Sequence, residues 1–582
     1  MGAMAGGTTN GSALGPSRPE SRDRWIGRVI AMALGILHTL TAIAHESMNP
    51  DGIAYLDMGD AWFRGDWPMA LNAYWSPLYG WILGAVLHLG GIGPEGEFAA
   101  VQWANLAIYL GALVAFEFFW RALERPEDSA GGLVGIPRRA FWALGYALFV
   151  VSSLQMIRVW SVTPDMCVAA CVYLAAGLLL RWSRGAPSRS IALAFGAVLG
   201  LGYLAKAAMF PLALAFFAAA LVARADRRSA LRALLFGVAA FLVVAGPFVV
   251  ALSLDEDRAT FGDSGRLNYV WFVNRIPYPH WVGGEQAGPP THPTRRVSND
   301  PPVYEFAEPV GGTYAAWYDP PYWFDGVQPR FDLRQQTGVL AVSALDYGKL
   351  FFGPLAGLCF IVLLLYGVAA GQGRTRSALL AQLPLLLPAV AALSMYGLVL
   401  VEERYIGPFV VLLWAGLLSG LRLAQGRGSR RLLRAAGWTM VLSLAVWVLA
   451  FNVDGLRPTL QLPKGAPTAA RATTEYARSR PASAALGLQD AGLRPGDRIG
   501  IVGYGFDAFW ARIARVRIVA ELYPWDAPDF WDPAAESHAR VLDAFAAAGV
   551  RAVVAESVPP DAAVNGWQRV GSTHLFIRFL AD

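Results

Sequence analysis

Apolar runs of about twenty residues recur along this 582-residue chain and constrain its fold more than any other feature. A helix of about that length is what crosses the hydrocarbon core of a bilayer. Charged residues make up only 16% of the chain, hydrophobic residues make up 55%, and the mean hydropathy is +0.40. Soluble domains carry about 25% charged residues. The sequence therefore predicts an α-helical polytopic membrane protein.

The apolar pattern predicts about eleven transmembrane helices. The candidate segments are 25–44, 98–120, 140–157, 165–182, 190–205, 207–223, 233–252, 347–369, 379–400, 406–424 and 435–451. The segment 76–91 is also apolar, but it is short and contains Pro77 near its start, so we expect a juxtamembrane or re-entrant helix there.

Clusters of arginine fix the predicted orientation of these helices. Cytoplasmic loops carry an excess of Lys and Arg, and all five basic loops lie on one side if 76–91 does not cross. These loops are 121–139, 181–189, 224–232, 370–377 and 421–434. The clusters thus indicate topology in a multi-pass inner (plasma) membrane protein, and the net charge of +5 does not indicate a nucleic-acid partner.

The same orientation divides the chain into domains. Residues 1–24 are rich in Gly, Ser and Ala and are predicted to be a disordered cytoplasmic tail; a cleaved signal peptide ending near "AIA" at 42–44 is the alternative. The transmembrane domain is 25–452, with a first outer loop at 45–97 and a large outer loop at 253–345. Residues 456–582 are predicted to be a small extracytoplasmic α/β domain, because helix-like and strand-like stretches alternate there.

Two features of the outer segments have competing interpretations. The loop 253–345 is rich in Pro, Gly and aromatic residues, which fits either a cover over a sugar or lipid substrate or an aromatic belt at the membrane interface. The stretch "GIVGYG" at 500–505 superficially suggests a dinucleotide loop. It lacks the G-x-G-x-x-G spacing, so we predict no nucleotide site there.

Acidic residues are concentrated in "NPDGIAYLDMGDAWFRGDW", which directly follows the first predicted span. Asp57 and Asp60 lie three residues apart and so share one helix face, which predicts the solvated side of an amphipathic helix. Asp51 stands before that helix-like run, where the first span leaves the bilayer.

Three further ionisable residues are predicted near the same outer face. Lys206 lies between two short apolar halves, either snorkelling to the interface or facing a lipid phosphate. Arg404 follows Glu402 and Glu403 in "VEERY", so it either pairs with one of them or binds substrate. Asp165 follows Thr163 and Pro164 at a helix start, where the helix dipole alone would account for an acid.

Taken in order along the chain, these motifs resemble the GT-C class of integral membrane glycosyltransferases. The likeness is to the group of protein O-mannosyltransferases and lipid A aminoarabinose transferases. It covers most of 25–425 and rests on spacing. The matching stretches are "PDGIAYLDMGDAWFRGDW", "WSPLYGWILGAVLHL", "TPD", "GLGYLAKAAMFPL" and "ERYIGPFVVLLW".

The resemblance implies a polyprenyl-phosphate-sugar donor and transfer on the periplasmic or luminal face. It implies that Asp51 engages the acceptor and that Lys206 binds phosphate. Two departures leave donor and acceptor open: many relatives have Asp-Glu where this chain has Asp51-Gly52, and many have a basic residue where it has Trp75-Ser76-Pro77. We therefore expect Asp51 to be catalytic. The residues expected to bind substrate are Lys206, Arg404, Asp165, Tyr55, Trp75 and Glu403.

The acceptor is expected to be a lipid, a cell-envelope glycan or a protein, with membrane lipids as further partners. His280 and His292 do not have a metal-ligand spacing, so no cofactor is predicted, although a divalent cation between carboxylates and phosphate remains open. Two other functions compete with glycosyl transfer. One is a transporter or flippase for a lipid-linked glycan, and the other is a non-catalytic envelope-assembly protein.

Overall fold

The computed structural model describes most of the chain in residue ranges separated by gaps. The described ranges are 20–124, 136–185, 188–278, 280–284, 287–292, 294–370, 375–423, 426–456, 481–532, 537–556, 558–559 and 566–580. Most of the predicted cytoplasmic tail, 1–19, lies outside the described residues, and the first helix begins at Glu20.

The first half of the described chain is almost entirely helical. Its helices are α1 (Glu20–His45), α2 (Pro50–Arg64), α3 (Trp67–Ala70), α4 (Pro77–Gly90), α5 (Glu97–Leu123), α6 (Arg138–Val150), α7 (Asp165–Arg184), α8 (Arg189–Ala205), α9 (Met209–Val222) and α10 (Arg227–Asp255). A π-helical stretch, Val151–Met156, continues α6, and a 3₁₀ turn, Pro94–Gly96, precedes α5.

The second half mixes helices with one sheet. Its helices are α11 (Ser264–Asn268), α12 (Ala315–Tyr318), α13 (Pro320–Trp323), α14 (Leu333–Phe352), α15 (Ala356–Ala370), α16 (Thr375–Leu380), α17 (Leu383–Gly397), α18 (Glu403–Gly420), α19 (Arg427–Leu456), α20 (Pro481–Asp490), α21 (Phe509–Ile513), α22 (Ala527–Trp531) and α23 (Ser537–Ala547). A π-helical stretch, Tyr269–Val273, follows α11, and a 3₁₀ turn, Gly505–Asp507, precedes α21.

Each of the eleven predicted segments contains helix, and the structure is that of a helical membrane protein. By length and hydropathy, five helices among the described residues are suited to cross a bilayer: Arg24–His45, Pro94–Leu123, Asp165–Arg184, Arg227–Asp255 and Arg427–Asn452. α4, α8, α9 and α17 are apolar but shorter, at 10–17 residues. α4 therefore has the short length that the sequence predicted for 76–91.

The predicted span 347–369 differs from the structure, because the chain bends by 86° between α14 and α15. The bend falls at Gly353-Pro354. Proline has no N–H for the helical ladder and disfavours a helical residue before it. If the two helices count as one broken span, six spans result.

Two glycine-lined helices place the first acidic residues. α2 begins with Pro50 at its first position and ends at Gly65, whose φ of 71° is left-handed. α2 packs on α4 so closely that a Cβ on Gly59 would lie 2.7 Å from the carbonyl oxygen of Gly80. Glycine at this contact lets the two helices approach closely and fixes the direction of α2.

The sheet unites the large loop with the C-terminal residues. Its seven strands run in the order β1-β2-β4-β3-β5-β7-β6. The strands are β1 (Arg295–Asn299), β2 (Pro302–Glu305), β3 (Arg498–Val502), β4 (Arg517–Leu522), β5 (Ala552–Ala555), β6 (Gln568–Arg569) and β7 (Phe576–Phe579). β3 is parallel to β4 and β5, whereas β2 joins β4 antiparallel. The C-terminal α/β layer therefore shares its sheet with the large loop, whereas the sequence predicted these two segments as separate units.

Candidate functional site

Four charged side chains at the ends of four helices meet at one place. Asp51 lies in the first turn of α2, Asp165 begins α7, Lys206 follows α8, and Arg404 lies in the first turn of α18. We call these four residues the open cluster. Ionisable groups are costly within a bilayer, and helix ends are where such groups reach the interface.

A side-chain clamp holds two of these helix starts together. The amide of Asn49, just before α2, donates to the carbonyl of Val162 at 3.2 Å, and its oxygen accepts from the Val162 backbone N–H at 2.8 Å. Val162 lies shortly before α7. The clamp therefore ties the segment carrying Asp51 to the segment carrying Asp165.

Within the open cluster the charges form two ion pairs. Lys206 Nζ donates to Asp165 Oδ1 at 2.6 Å, and Arg404 Nη1 donates to Asp51 Oδ2 at 3.0 Å. Arg404 Nη1 also lies 3.9 Å from Asp165 Oδ2. The expected pairing of Arg404 with Glu402 or Glu403 thus differs from the structure, in which its hydrogen-bonded acid is Asp51.

Asp165 is better explained by this cluster than by its helix start. Thr163 does not cap α7, and its hydroxyl has no hydrogen-bond partner among the described residues. The Asp165 side chain is only 2% exposed, and its Oδ2 also lacks a hydrogen-bond partner in the described part of the chain. A buried carboxylate oxygen without a donor is unusual and leaves acceptor capacity for a ligand.

Tyr405 completes the environment of the two cations. Lys206 Nζ lies 3.5 Å from the centre of the Tyr405 ring, and the Tyr405 hydroxyl is 3.2 Å from Arg404 Nη2. A cation over an aromatic face is stabilised without neutralising its charge. Tyr405 therefore contacts both cations of the open cluster.

The open cluster lies in the wall of a cavity of about 460 Å³. All four of its residues line this cavity, together with Tyr55 and Trp75. The structure thus brings together six of the seven residues predicted from the sequence. Glu403, the seventh, does not line this cavity.

Glu403 lines a neighbouring cavity of about 560 Å³ together with Arg158 and Lys349. Asp51 and Arg404 line both cavities. The Asp51–Arg404 pair therefore lies where the two cavities adjoin and can be approached from two sides.

Sequence reasoning missed the aromatic residues that form much of the first cavity. Trp271, Tyr278 and Trp317 reach it from the large loop, and Tyr504 and Phe506 reach it from the residues after β3. The aromatic enrichment of 253–345 was the available signal for the first three. Tyr504 lies within the "GIVGYG" stretch and Phe506 directly follows it, and this stretch lacks the spacing of a nucleotide motif.

A second charged cluster lies further along α2. Arg512, from α21, donates to Asp57 Oδ1 at 2.5 Å, Asp60 Oδ2 at 2.8 Å and Glu97 Oε2 at 2.9 Å. We call these four residues the closed cluster. The predicted solvated face was wrong for Asp57, which is 8% exposed, because a guanidinium distant in sequence covers it.

Among the described residues, no group of three or more His, Cys, Asp or Glu side chains is arranged to hold a metal ion. His280, one of the two loop histidines, instead lies 2.7 Å from Glu521 Oε2. What the first cavity offers a ligand is two cations, the three carboxylates of Asp51, Asp165 and Glu402, and aromatic walls. That set suits an anionic group attached to a ring with hydroxyls.

No protein-family model matches the sequence, and the comparison with curated proteins gives no match. Solved structures that are similar to this chain include the following two. ArnT from Cupriavidus metallidurans, bound to undecaprenyl phosphate, has a TM-score of 0.49 and 14% identity, over 95% of this chain and 97% of that one. The oligosaccharyltransferase of Archaeoglobus fulgidus, in complex with Zn and sulfate, has a TM-score of 0.45 and 12% identity, over 90% of this chain and 68% of that one. Both identities are below 25% and both TM-scores are below 0.5, so neither structure assigns a family, a residue role or a substrate to this chain.

Proposed function

We propose that this protein is a membrane glycosyltransferase. It moves a sugar from a polyprenyl-phosphate-linked donor to a hydroxyl of an extracytoplasmic lipid, glycan or protein. The observation that carries the proposal is the shared cavity, in which the carboxylate of Asp51 and the cations of Lys206 and Arg404 lie in one wall.

The charges fit the two halves of a glycosyl transfer. The bond between the sugar's anomeric carbon and the phosphate oxygen breaks, and its electron pair stays with the phosphate. Lys206 and Arg404 stabilise the negative charge that develops there. The acceptor oxygen forms the new bond to the anomeric carbon, and its proton passes to Asp51. A positioned general base contributes about 10²–10⁴ in rate.

Binding of the donor phosphate would rearrange the pairs that the structure shows. A phosphate between Lys206 and Arg404 competes with Asp165 and Asp51 for the same N–H donors. Moving Arg404 towards the phosphate releases Asp51 Oδ2, which Arg404 occupies at 3.0 Å in this structure. The free carboxylate can then accept the hydroxyl proton. Donor binding and activation of Asp51 are thereby coupled.

The position of the charges favours transfer over transport. A transporter is expected to bind its substrate near the bilayer midplane. The open cluster instead occupies the ends of four helices. We place this end on the extracytoplasmic side because the five basic loops belong to the other side.

Asp51→Asn is the first test. Purified protein is reconstituted with radiolabelled undecaprenyl-phosphate hexose or pentose and a membrane extract from cells that lack the protein, which supplies the acceptor. We expect transfer to fall by about 10²–10⁴ in Asp51→Asn, because the amide cannot accept the proton. Donor binding should not weaken, because the amide competes less for Arg404 than the carboxylate does, and thermal stability should stay near that of the wild type.

Asp66→Asn is the matched control, because it makes the same chemical change just beyond α2, at a residue that does not line the cavity. It should transfer like the wild type. Full transfer by Asp51→Asn would remove that residue from the mechanism. Movement of label across the bilayer without any transfer product would instead support a flippase.

A further inference from the structure

The segment that follows β3, Gly503–Asp507, extends from the sheet to the cavity. Tyr504 and Phe506 line the same cavity as the open cluster. The C-terminal α/β layer therefore contributes walls to the candidate site in addition to packing on it.

Tyr504 and Phe506 join a set of rings from the large loop. The Phe506 ring lies 5.0 Å from that of Trp317, 5.8 Å from that of Tyr278 and 5.1 Å from that of Tyr504, measured between centroids. We call Tyr278, Trp317, Tyr504 and Phe506 the aromatic roof. It combines two segments that are distant in sequence.

A continuous path of rings connects the roof to the helix that carries Asp51. Tyr55 lies one turn after Asp51 on α2, so the two share a helix face. Its ring is 5.2 Å from that of Trp75, and Trp75 is 5.5 Å from Trp317. The roof and the open cluster are thus linked parts of one wall.

Two carboxylates, the buried Glu521 and the partly buried Glu556, hold the backbone of the roof segment. Glu521 Oε1 accepts from the Gly505 N–H at 2.7 Å, and Glu556 Oε2 accepts from the Tyr504 N–H at 2.9 Å. Close packing also constrains the glycine, because a Cβ on Gly505 would lie 2.5 Å from the Tyr314 ring. The positions of Tyr504 and Phe506 are therefore set by contacts within the protein and do not depend on a ligand.

Two tryptophans in the cavity wall have unused donors. The indole N–H groups of Trp271 and Trp317 are buried and have no hydrogen-bond partner among the described residues. Buried donors of this kind are rare. Beside flat rings, they suit a ligand that presents both an apolar face and hydroxyl oxygens.

We propose that the aromatic roof binds the sugar ring of the donor, so that the C-terminal domain selects which sugar is transferred. This inference rests on the proposed function. The prenyl tail of the donor must remain in the bilayer. The end of the cavity that the C-terminal α/β layer encloses is therefore left for the polar end of the donor. The sugar is bonded directly to the phosphate, and the ring path keeps the roof near the phosphate-binding cations.

The charges of the cavity also indicate the class of sugar. Lys206 and Arg404 are the only cations among the residues that line it in the described part of the chain. Both are assigned to the phosphate. The roof therefore offers an acidic sugar no cation, and it fits a neutral hexose or pentose better than a uronic acid.

Tyr504→Ala and Phe506→Ala test the roof. Loss of one stacking ring should raise the KM for a neutral undecaprenyl-phosphate sugar about 10-fold, with a smaller change in kcat and no change in the KM for the acceptor. The preference for the neutral sugar over the uronic acid should shrink. Phe579→Ala is the matched control, since Phe579 lies in β7 of the same sheet and does not line the cavity.

Phe506 is buried, so its truncation could unfold the domain. Tyr504 is only partly buried, and its variant keeps the test available. Unchanged donor KM and sugar preference in a folded Tyr504→Ala protein would overturn the roof proposal, as would a rise in acceptor KM alone. Both of those results require transfer by the wild type, whereas absence of transfer by the wild type would overturn the proposed function itself.

Discussion

Helix α2 carries two groups of acids that have opposite surroundings. Asp51, in its first turn, faces a cavity and shares Arg404 with Asp165. Asp57 and Asp60 contact Arg512 of the C-terminal α/β layer, and the side chain of Arg512 is only 2% exposed. The same residue type on one short helix therefore takes part in an open cluster and in a closed one.

The two clusters differ in how completely their hydrogen bonds are satisfied. In the closed cluster, Asp57 also accepts from the N–H of Thr313 at 2.7 Å and from its hydroxyl at 3.0 Å, and Glu97 receives a second guanidinium from Arg515. In the open cluster, Asp165 Oδ2 lacks a hydrogen-bond partner among the described residues. A satisfied buried network rigidifies a fold, whereas free polar capacity beside a cavity is available to a ligand.

Arg512→Met should have the largest effect on stability. It leaves the carboxylates of Asp57, Asp60 and Glu97 without their central partner, and removing one member of a buried ion pair costs about 3–5 kcal/mol. We expect a large drop in the thermal midpoint in detergent and rapid proteolysis of the C-terminal domain.

Arg515→Met is the control for that variant, because Arg515 is 33% exposed and contacts the same cluster from its edge. It should lose about 1 kcal/mol. Equal losses in the two arginine variants would show that the closed cluster does not hold the domain in place.

Asp57→Asn and Asp51→Asn form a matched pair on one helix. Asp57→Asn should destabilise the protein by about 1–3 kcal/mol, because an amide nitrogen then faces N–H donors in a buried site. Asp51→Asn should cost less than about 1 kcal/mol, because its partner Arg404 is partly exposed and keeps Asp165 nearby.

Transfer assays on the same two proteins complete that comparison. At temperatures where both are folded, Asp57→Asn should retain transfer and Asp51→Asn should lose it. If Asp57→Asn lost transfer while keeping its thermal midpoint, the separation of the two clusters into a structural and a functional one would be wrong.

Glu556 extends the comparison between the two clusters. Its carboxylate is hydrogen-bonded by N–H groups and, within the described ranges, not by a guanidinium. Its carboxylate accepts from the Tyr504 amide at 2.9 Å and from the Trp510 indole at 3.2 Å. Burial raises the pKa of Glu556 to about 7 from its ordinary value of 4.5. The folded state therefore favours its neutral form more strongly than the unfolded state does.

Between about pH 4.5 and pH 7, the folded state retains the Glu556 proton that the unfolded chain releases. The folded protein therefore loses stability as the pH rises through this range. Glu556→Gln removes that loss. Relative to the wild type, the variant should gain up to about 3 kcal/mol between those pH values, measured as the difference in thermal midpoint at each pH. A difference that stays constant with pH would contradict the assigned pKa.

The sequence predicted local features well where a local pattern carries them. The positions of helices follow from apolar runs, and the alternation predicted for 456–582 is observed in its described part as the strands β3, β4, β5 and β7 and the helix α23. The convergence of Asp51, Lys206 and Arg404 was predicted from the sidedness of the loops, because helices that share a membrane must place their ends on one of two faces.

Other features depend on contacts that no local pattern contains. Asp57 resembles a residue on a solvated face until Arg512, 455 positions later, is placed against it. The sequence of β2 lies in the predicted large loop, and only its pairing with β4 makes it part of the sheet. The aromatic roof likewise joins rings from around 278, 317 and 505 only after the sheet has formed.

By itself, the sequence determined the class of the protein: a helical membrane chain with acids and cations where predicted spans end, because the bilayer requires long apolar helices and sends charge to their ends. Only the tertiary structure decided which acid is buried by an arginine and which faces a cavity, and that the C-terminal layer helps to enclose that cavity. Burial and pairing depend on which distant residues meet in space, and those meetings set the energy of each charge.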